Sequence, residues 1–464
     1  MMNIKSPRPY LLCLVIIPVL LIIPQMMNAQ PAFILDSNGI TIRCPDALPG
    51  ETGTVNDVVY EAVNRDSLDQ RIADGADLSR LCTTPVTDMS LLFAGSGMEA
   101  STVGYDITSW DVSNVTSMSG MFYYATEFNQ PIGHWDVSNV TDMSSMFSQA
   151  IDFNQHIGDW DVSKVTDMSS MFLRDSTFNQ PLGGWDVSNV KNMASMFWYA
   201  ATFNQPIGNW NVSNVTTMQY TFHGATHFNQ EIGNWDVSNV TNMEGMFMAD
   251  SAFNQPLAGW DVSKVTTMRS MFQSALSFNQ PIGDWDVNNV ASMNRMFAYT
   301  SEFNQPIGDW DVSKVTDMHS MFRLAASFNQ DISRWCVTGI SSEPPFFSNS
   351  SPLLRLYKPV WGTCPGATGT ERYPETVSDY SLLQNYPNPF NPSTRIRFGI
   401  PDASAVSLDI FSMDGRRMAT VFQEILPAGS HEIEINANGW ASGIYMYRLM
   451  AGDVVLTRKM MMVK

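Results

Sequence analysis

The chain has 464 residues, long enough for several domains, and a net charge of −19 at neutral pH. Residues 101–335 hold 9 Lys and Arg against 23 Asp and Glu, a net charge of −14, whereas residues 381–464 have a net charge of +1. An acidic surface of this kind repels phosphate groups. The composition therefore excludes nucleic acids and anionic membranes as partners.

Residues 1–29 have the pattern of a secretory signal peptide. Lys5 and Arg8 precede an apolar run over residues 11–23, and Ala29 places a small residue at a cleavage position. The run is too short to span a membrane, and no other stretch is apolar enough to do so. The chain is therefore predicted to be exported and to have no transmembrane span.

The rest of the chain divides by composition. Residues 30–85 are predicted to form an N-terminal cap with a helix near residues 55–70. Residues 86–340, here called the repeat array, carry a regular pattern. Residues 341–380 are rich in Ser, Pro, Thr and Gly and are predicted to be a C-terminal cap and linker. Residues 381–464 form a last domain.

Four cysteines stay in the exported chain, where disulfides can form. Cys44 and Cys82 precede the regular repeats, and Cys336 and Cys364 follow or end them. Four cysteines allow three pairings, among which the sequence does not choose. The pairs Cys44–Cys82 and Cys336–Cys364 would each staple one end of the array.

Tryptophan recurs every 25 residues along the repeat array. The positions are Trp110, Trp135, Trp160, Trp185, Trp210, Trp235, Trp260, Trp285, Trp310 and Trp335. A period of this length is the signature of stacked repeats, in which each repeat covers the apolar face of its neighbour. Equivalent residues of successive repeats should therefore form columns.

One repeat combines two periodicities. Trp135 and Val137 alternate as in a short strand, and Val140, Met143 and Phe147 are spaced as on one face of a short helix. The expected fold is an α/β repeat solenoid of about ten coils. The Trp, Val, Ile, Met and Phe columns should form its core. Core packing is favoured over a Met-lined ligand groove, because Met fills irregular gaps.

Two polar columns run through the array. Asn recurs from Asn129 to Asn329 and is expected to form a ladder of hydrogen bonds between repeats, since a buried amide must be satisfied. An Asp column should face outwards on the strand. After Asp111 it contains Asp136, Asp161, Asp186, Asp236, Asp261, Asp286 and Asp311, and Asn211 interrupts it.

The Asp column has two interpretations. Each carboxylate can accept local hydrogen bonds from amides two or three residues on and face solvent. Alternatively, stacked carboxylates can bind cations such as Ca²⁺ or a cationic ligand. The local bonds need no partner and are favoured, and the cation face is kept as a hypothesis.

No motif for catalysis or cofactor binding is present. The chain lacks a Gly-x-Ser-x-Gly elbow, a His-Glu-x-x-His pair and a phosphate-binding glycine loop. His223 and His227 are four residues apart but occur in one repeat only, and a zinc site needs three or four ligands. The chain is therefore expected not to be an enzyme, with no catalytic residue, cofactor or dedicated metal site.

The segment Trp135 to Phe147 reads Trp-Asp-Val-Ser-Asn-Val-Thr-Asp-Met-Ser-Ser-Met-Phe. This repeat resembles that of the BspA-type leucine-rich-repeat-like surface proteins. The resemblance implies a right-handed, leucine-rich-repeat-like solenoid and a role in adhesion or binding at the cell surface. It implies no particular ligand, because ligands vary across the family.

The last domain has three runs of alternating apolar residues, 395–398, 406–411 and 444–449, with turns at Gly415 and Gly429. This pattern predicts a small all-β sandwich.

Its opening motif, Asn-Tyr-Pro-Asn-Pro-Phe at residues 385–390, and its basic end with Arg458 and Lys459 resemble the type A C-terminal sorting domain of the type IX secretion system of Bacteroidota. The resemblance implies export by the type IX machinery, removal of the domain by its sortase, and anchoring or release at the outer-membrane exterior.

These features together predict a secreted or cell-surface repeat protein. Its extended acidic face would serve adhesion to, or interaction with, an unknown extracellular protein or glycan. The alternative is a structural component of a surface layer or biofilm that has no specific ligand.

Overall fold

The computed structural model describes residues 32–95, 105–365, 379–426 and 428–463. The chain divides into two compact units, with the boundary between Cys364 and Pro365. The predicted signal peptide lies outside the described residues. Among the described residues, no helix has both the length and the apolar character needed to cross a membrane.

The first unit begins with short elements that precede the repeats. They are strands β1 (Ile34–Leu35), β2 (Ile42–Arg43), β3 (Thr52–Val55) and β4 (Val58–Ala62), helix α1 (Arg65–Ala73), a 3₁₀ turn (Leu78–Arg80) and strand β5 (Leu81–Cys82). Strands β1 and β2 pair antiparallel, as do β3 and β4, and β5 runs parallel to β4.

The helix predicted near residues 55–70 begins later than expected. Asn56 and Asp57 have φ values of 50° and 66°, as the central residues of a two-residue hairpin turn require, and they join β3 to β4. The helix starts only after Asn64, whose side chain accepts a hydrogen bond from the Ser67 amide. A capping box at Asn64 and Ser67 therefore determines where the helix begins.

The predicted α/β solenoid is wrong. The one α-helix among the described residues, α1, lies before the repeats, and the repeats consist of turns and irregular backbone. The expected strand at Trp135–Val137 is absent. Instead, one residue per repeat, such as Asp142, forms a single-residue parallel bridge to the next repeat, here to Asp167.

The backbone hydrogen bonds explain why no helix forms. Alternate amides, those of Met143, Ser145, Phe147 and Gln149, donate to carbonyls of the following repeat. The amides of Met146, Ser148 and Ala150, each of which directly follows one of these residues, donate to the carbonyl three residues back in the chain. A helix keeps its amide bonds within one segment. Moreover, Ser145 and Gln149 have φ values of 57° and 62°, which a right-handed helix cannot contain.

The apolar columns form the core of the array. Phe147 stacks on Phe153 of its own turn at 3.9 Å between ring centroids and on Phe172 of the next repeat at 5.8 Å. The Trp160 indole is buried and donates to the Ile132 carbonyl of the preceding repeat at 3.2 Å. Methionine recurs at two places in the repeat, as at Met143 and Met146. The methionine side chains in both of these columns are buried as well, so they pack in this core.

The Asn column is a ladder between repeats. The Asn204 side-chain oxygen accepts from the Asn229 amide at 3.0 Å and from the Gln230 side chain at 2.8 Å. The same bonds to the next Asn and Gln recur along the array from Asn129 onwards. The adjacent Gln is thus part of the ladder, which the sequence pattern did not reveal.

Disulfides close both ends of the first unit. Cys44 is bonded to Cys82, next to the β4–β5 pair, and Cys336 is bonded to Cys364. Cys336 occupies the place that Asp holds in all the other regular repeats but one, where Asn211 stands.

The second unit is all β. Its strands are β6 (Ser381–Leu382), β7 (Ser393–Ile400), β8 (Ser404–Ser412), β9 (Arg417–Leu426), β10 (Gly429–Asn436), β11 (Gly443–Ala451) and β12 (Val454–Met462). One antiparallel sheet has the order β10-β7-β6 and the other β12-β11-β8-β9. Buried side chains from both sheets, including Phe398, Leu408 and Tyr447, form one core.

The opening motif of this unit has a structural role. Asn385 is buried and donates to Pro387 and Thr394, and its backbone amide donates to the Tyr447 hydroxyl at 2.8 Å. Phe390 is buried and exchanges backbone hydrogen bonds with the end of β12. The Pro-rich motif is thus bound to the last strand and to the core.

Candidate binding face

Each repeat has two residues with positive φ, and these form two columns that we call the turn face. The first contains Leu91, Gly120, Ser145, Ser170, Ser195, Tyr220, Gly245, Ser270, Arg295, Ser320 and Phe346. The second contains Gly95, Tyr124, Gln149, Arg174, Tyr199, Gly224, Ala249, Ser274, Tyr299, Leu324 and Ser350. The second column differs in residue type from repeat to repeat, whereas the first has Ser at five of its eleven positions and other residue types at the remaining six.

Several turn-face positions have residue types that rarely adopt a positive φ. Glycine adopts positive φ readily, whereas bulky side chains in this region are rare and strained. Tyrosine nevertheless stands at four turn-face positions, Tyr124, Tyr199, Tyr220 and Tyr299. Backbone strain that persists in a fold is an indication of function. The large side chains on this face therefore identify it as a candidate binding surface.

Large apolar side chains of this face reach solvent. Leu91, Tyr124, Tyr199, Leu324 and Phe346 are each between 40% and 60% exposed. Exposed apolar groups grouped on one face are typical of interaction sites.

Tyr199 and Tyr220 of the turn face pack against Trp198 and His223, which lie next to that face, and we call these four residues the aromatic cluster. The Trp198 ring stacks on Tyr220 at 5.4 Å and on His223 at 5.3 Å between centroids. Tyr199 lies 5.0 Å from His223 in a tilted arrangement. The cluster draws on two successive repeats, so only the stacking of repeats assembles it.

Two glycines make room for the tyrosines. A Cβ atom at Gly224 would lie 2.4 Å from the Tyr199 ring, and one at Gly245 would lie 2.2 Å from the Tyr220 ring. Each tyrosine therefore leans over a glycine in the same column of the next repeat. The pairs of large residue and glycine show that the cluster depends on specific departures from the repeat.

Polar and charged groups border the cluster. The Tyr220 hydroxyl donates to Glu244 at 2.8 Å, and the Gln219 amide donates to the same carboxylate at 3.2 Å. Arg269 lies 3.5 Å from Glu244. On the other side, the Arg174 guanidinium is 5.8 Å above the Tyr199 ring.

His223 is an uncharged member of the cluster. Its side chain is nine-tenths buried, and burial lowers its pKa to about 4. Its Nδ1 and the Trp198 Nε1 are buried and have no hydrogen-bond partner within the part of the chain that the structure describes. Buried polar atoms are rarely left in this state.

The aromatic cluster lies in an uncharged stretch. Residues 192–230 contain no Asp, Glu, Lys or Arg, although the array as a whole is acidic. Asn211 replaces the usual Asp within this stretch. The Asp column and the aromatic cluster thus provide two chemically different surfaces on one array.

The predicted Asp residues are exposed, apart from Asp111, and most make local bonds. The Asp136 carboxylate accepts from both the amide and the hydroxyl of Ser138, at 3.2 and 2.6 Å. The same bond from the residue two places on recurs at Asp161, Asp186, Asp236, Asp261, Asp286 and Asp311.

These local bonds stabilise the charged form of the carboxylates. Hydrogen bonds from the serine two residues on lower the pKa of five members of the column, although partial desolvation opposes the effect. The five are Asp161, Asp186, Asp236, Asp261 and Asp311. These five carboxylates therefore stay ionised at neutral pH.

The first Asp of the column is covered by the N-terminal segment. Asp111 is buried, accepts from the Thr84 hydroxyl at 2.6 Å and lies 3.9 Å from Arg43. Arg43 also approaches Asp36 at 2.6 Å and Asp136 at 3.9 Å. A cavity of about 210 Å³ lies between these side chains.

The described residues contain no group of three or more His, Cys, Asp and Glu side chains arranged to hold a metal ion. His227 contacts the Ala201 carbonyl at 2.7 Å, whereas His223 belongs to the aromatic cluster. The cation-binding hypothesis for the Asp column remains a prediction.

A family model described as Mycoplasma protein of unknown function, DUF285, matches residues 87–206, 174–275, 200–298 and 252–355. The four overlapping matches span residues 87–355, more than half of the 464 residues. The chain belongs to this family. The match establishes the repeat family, but it does not establish the finer relationship to BspA-type proteins. No curated protein matches the chain.

A second model, described as secretion system C-terminal sorting domain, matches residues 384–464. The prediction of a sorting domain is thereby confirmed. The match shows that the protein is secreted and attached at the cell surface, and that the type IX secretion machinery takes part in its export.

The aromatic cluster is not visible in the pattern that the repeats share, because it consists of residues that depart from that pattern. Two signals were available: the uncharged stretch at residues 192–230, and Thr221 in place of the usual Met.

Proposed function

We propose that this protein is a surface-attached binding protein that engages an extracellular protein or glycan through the turn face. The observation that carries the proposal is the contrast between columns. The core columns repeat almost without change, whereas the turn face carries large, exposed and strained side chains that differ between repeats. Since a constant core does not require this variation, it is best explained by a partner.

The architecture supports binding through several weak contacts. Stacked repeats present equivalent positions at regular spacing, and contacts made together along one partner add avidity. In this proposal the type IX sortase removes the sorting domain on export, and the array remains as the exposed part. The proposal assigns no enzymatic activity, because the sequence carries none of the catalytic motifs considered above.

The test uses the full chain in a host with a type IX secretion system. Leu91, Tyr124, Tyr199, Leu324 and Phe346 are replaced together by serine, a residue that both turn-face columns already contain. Adhesion of the cells to immobilised extracellular proteins and polysaccharides is measured at equal surface display. We expect the variant to lose adhesion.

A matched variant changes the other surface. Asp161, Asp236 and Asp261 are replaced by asparagine, as at Asn211, and adhesion should be retained. Equal adhesion of wild type and turn-face variant would overturn the proposal. If loss of the protein then weakened only the cohesion of the cell layer, the structural-component alternative would be favoured.

A further inference from the structure

We propose that the aromatic cluster of Trp198, Tyr199, Tyr220 and His223 binds an uncharged sugar unit of a neutral polysaccharide. This inference rests on the proposed function and specifies the ligand class at one place on the turn face.

The rings suit a sugar because of its two-sided chemistry. A pyranose ring has an apolar face of C–H groups and a rim of hydroxyl groups. Aromatic faces offer large, rigid apolar area with a partial negative charge, towards which C–H groups orient. Trp198 and Tyr220 are half-buried and Tyr199 is exposed, so the cluster holds its rings in place while part of them remains accessible.

The border of the cluster provides partners for the hydroxyl rim. Glu244 supplies acceptor oxygens, and Gln219, Arg269 and Arg174 supply donors. A few polar groups around an apolar platform are what fixes the orientation of a small ligand.

Charge decides between ligand classes. The cluster lies within the uncharged stretch at residues 192–230, whereas the surrounding array is acidic and would repel an anionic sugar. A cationic ligand is disfavoured too, because the Arg174 guanidinium already lies over the Tyr199 ring. A neutral ligand meets neither obstacle.

Two buried polar atoms provide an independent indication. Trp198 Nε1 and His223 Nδ1 have no hydrogen-bond partner among the described residues, and a buried polar atom without a partner is costly. Both lie in the cluster that the Tyr199 ring borders.

The first experiment is affinity electrophoresis of the full chain in gels that contain laminarin, dextran, mannan or galactan. At least one of these neutral polysaccharides should retard the protein, and the acidic polysaccharide alginate should not. Tyr199→Ala should weaken the retardation about tenfold, the loss expected for an aromatic anchor. Leu276→Ala is the control, because Leu276 is a large apolar residue of the array that lies outside the turn face and is 44% exposed, against 42% for Tyr199.

A second variant moves the ring without removing it. In Gly224→Ala the new methyl group collides with the Tyr199 ring, whereas the backbone tolerates alanine in this column, as Ala249 shows at a φ of 57°. Sugar binding should weaken as in Tyr199→Ala. Tryptophan fluorescence of the full chain should respond to the polysaccharide in the wild type. This response should be lost in Gly224→Ala and in Trp198→Phe, because the other twelve tryptophans lie outside the cluster.

The outcomes separate the two proposals. Retardation by none of the neutral polysaccharides, or retardation that Tyr199→Ala leaves unchanged, would overturn the sugar site. If cells that carry Tyr199→Ala then still adhere to an immobilised protein, whereas cells that carry the five-residue turn-face variant do not, the sugar site would be overturned and the proposed function would stand.

Discussion

The repeat array and the C-terminal unit bury apolar side chains in different ways. In the array, a buried residue such as Phe147 has an equivalent every 25 residues, and the rings stack in columns. In the C-terminal unit, Phe398 and Tyr447 each occupy a place that occurs only once. A residue of the array can therefore be compared with its equivalents in the same chain, and departures from the pattern carry information that the C-terminal unit does not offer.

The buried Ala column shows such a departure. Its members are Ala125, Ala150, Ala200, Ala225, Ala275 and Ala325, with Thr300 in one repeat. Asp175 and Asp250 replace alanine in two repeats and are completely buried. Neither carboxylate oxygen of Asp250 has a hydrogen bond of normal geometry within the described residues, and only the backbone amides of Ala252 and Phe253 partly offset its burial. The array therefore folds with a buried aspartate at a position where the other repeats have a small side chain.

The largest expected effect concerns the unit without repeats. Deletion of residues 381–464 removes the sorting domain and should abolish surface display. The array should stay folded, because its hydrogen bonds run between neighbouring repeats. Labelling of intact cells with antibody and melting of the purified fragment measure the two expectations. Display of the shortened chain at the surface would contradict the first.

Within the array, the largest loss should come from the Trp column. Trp210 is buried between Trp185 and Trp235, and its indole donates to the Leu182 carbonyl. Trp210→Ala should cost roughly 3–5 kcal/mol of unfolding free energy, because it leaves a large cavity. Denaturant unfolding measures this cost. Trp198→Ala, at a half-buried position beside the turn face, is the control and should cost less.

Asp250→Ala should stabilise the array at neutral pH. Burial raises the pKa of Asp250 well above its ordinary value. The wild type therefore has its full stability below the unfolded pKa of about 3.9 and loses it as the pH rises through the raised folded pKa. The gain in the variant should be absent near about pH 3 and reach on the order of 1–3 kcal/mol at about pH 7.

Asp236→Ala is the control of opposite sign. Hydrogen bonds from Ser238 lower the pKa of Asp236, so its contribution is present above the unfolded pKa and is lost as the pH falls through the lowered folded pKa. This variant should be less stable than wild type at neutral pH and equal to it in acid. Melting temperatures across pH distinguish the two, and a pH-independent gain in Asp250→Ala would contradict the account of its buried charge.

The Asn ladder should contribute less than the Trp column. Asn204→Ala removes the acceptor of two hydrogen bonds, those from Asn229 and Gln230. The expected loss is about 1–2 kcal/mol, and urea unfolding measures it. Asn214→Ala removes one exposed bond to the Ser188 carbonyl and should cost less. Equal losses in both variants would show that the ladder has no special part in holding repeats together.

The smallest effect is expected from calcium on the Asp column. Because the serine two residues on already binds most of these carboxylates, calcium should raise the melting temperature no more than sodium at matched ionic strength. A calcium-specific rise that disappears in the Asp261→Asn and Asp286→Asn double variant would favour the cation-binding hypothesis instead.

Much of the array could be read from spacing alone. The 25-residue period identified which residues share a column, and the burial of the Trp, Met and Phe columns follows from it. The secondary structure could not be read in this way. The spacing of Val140, Met143 and Phe147 fits a helical face, but it fits equally a series of turns that direct these side chains inwards.

The sequence by itself determined the period, the columns, the acidic character of the array and the sorting signal, because these depend on residue identity and spacing along the chain. Only the tertiary structure decided the backbone path and the candidate site. Alternate amides leave their own repeat to bond with the next one, so the local preference for helix is overridden by partners 24 residues or more away. For the same reason Trp198 becomes a neighbour of Tyr220 and His223, which belong to the next repeat, only when the repeats stack.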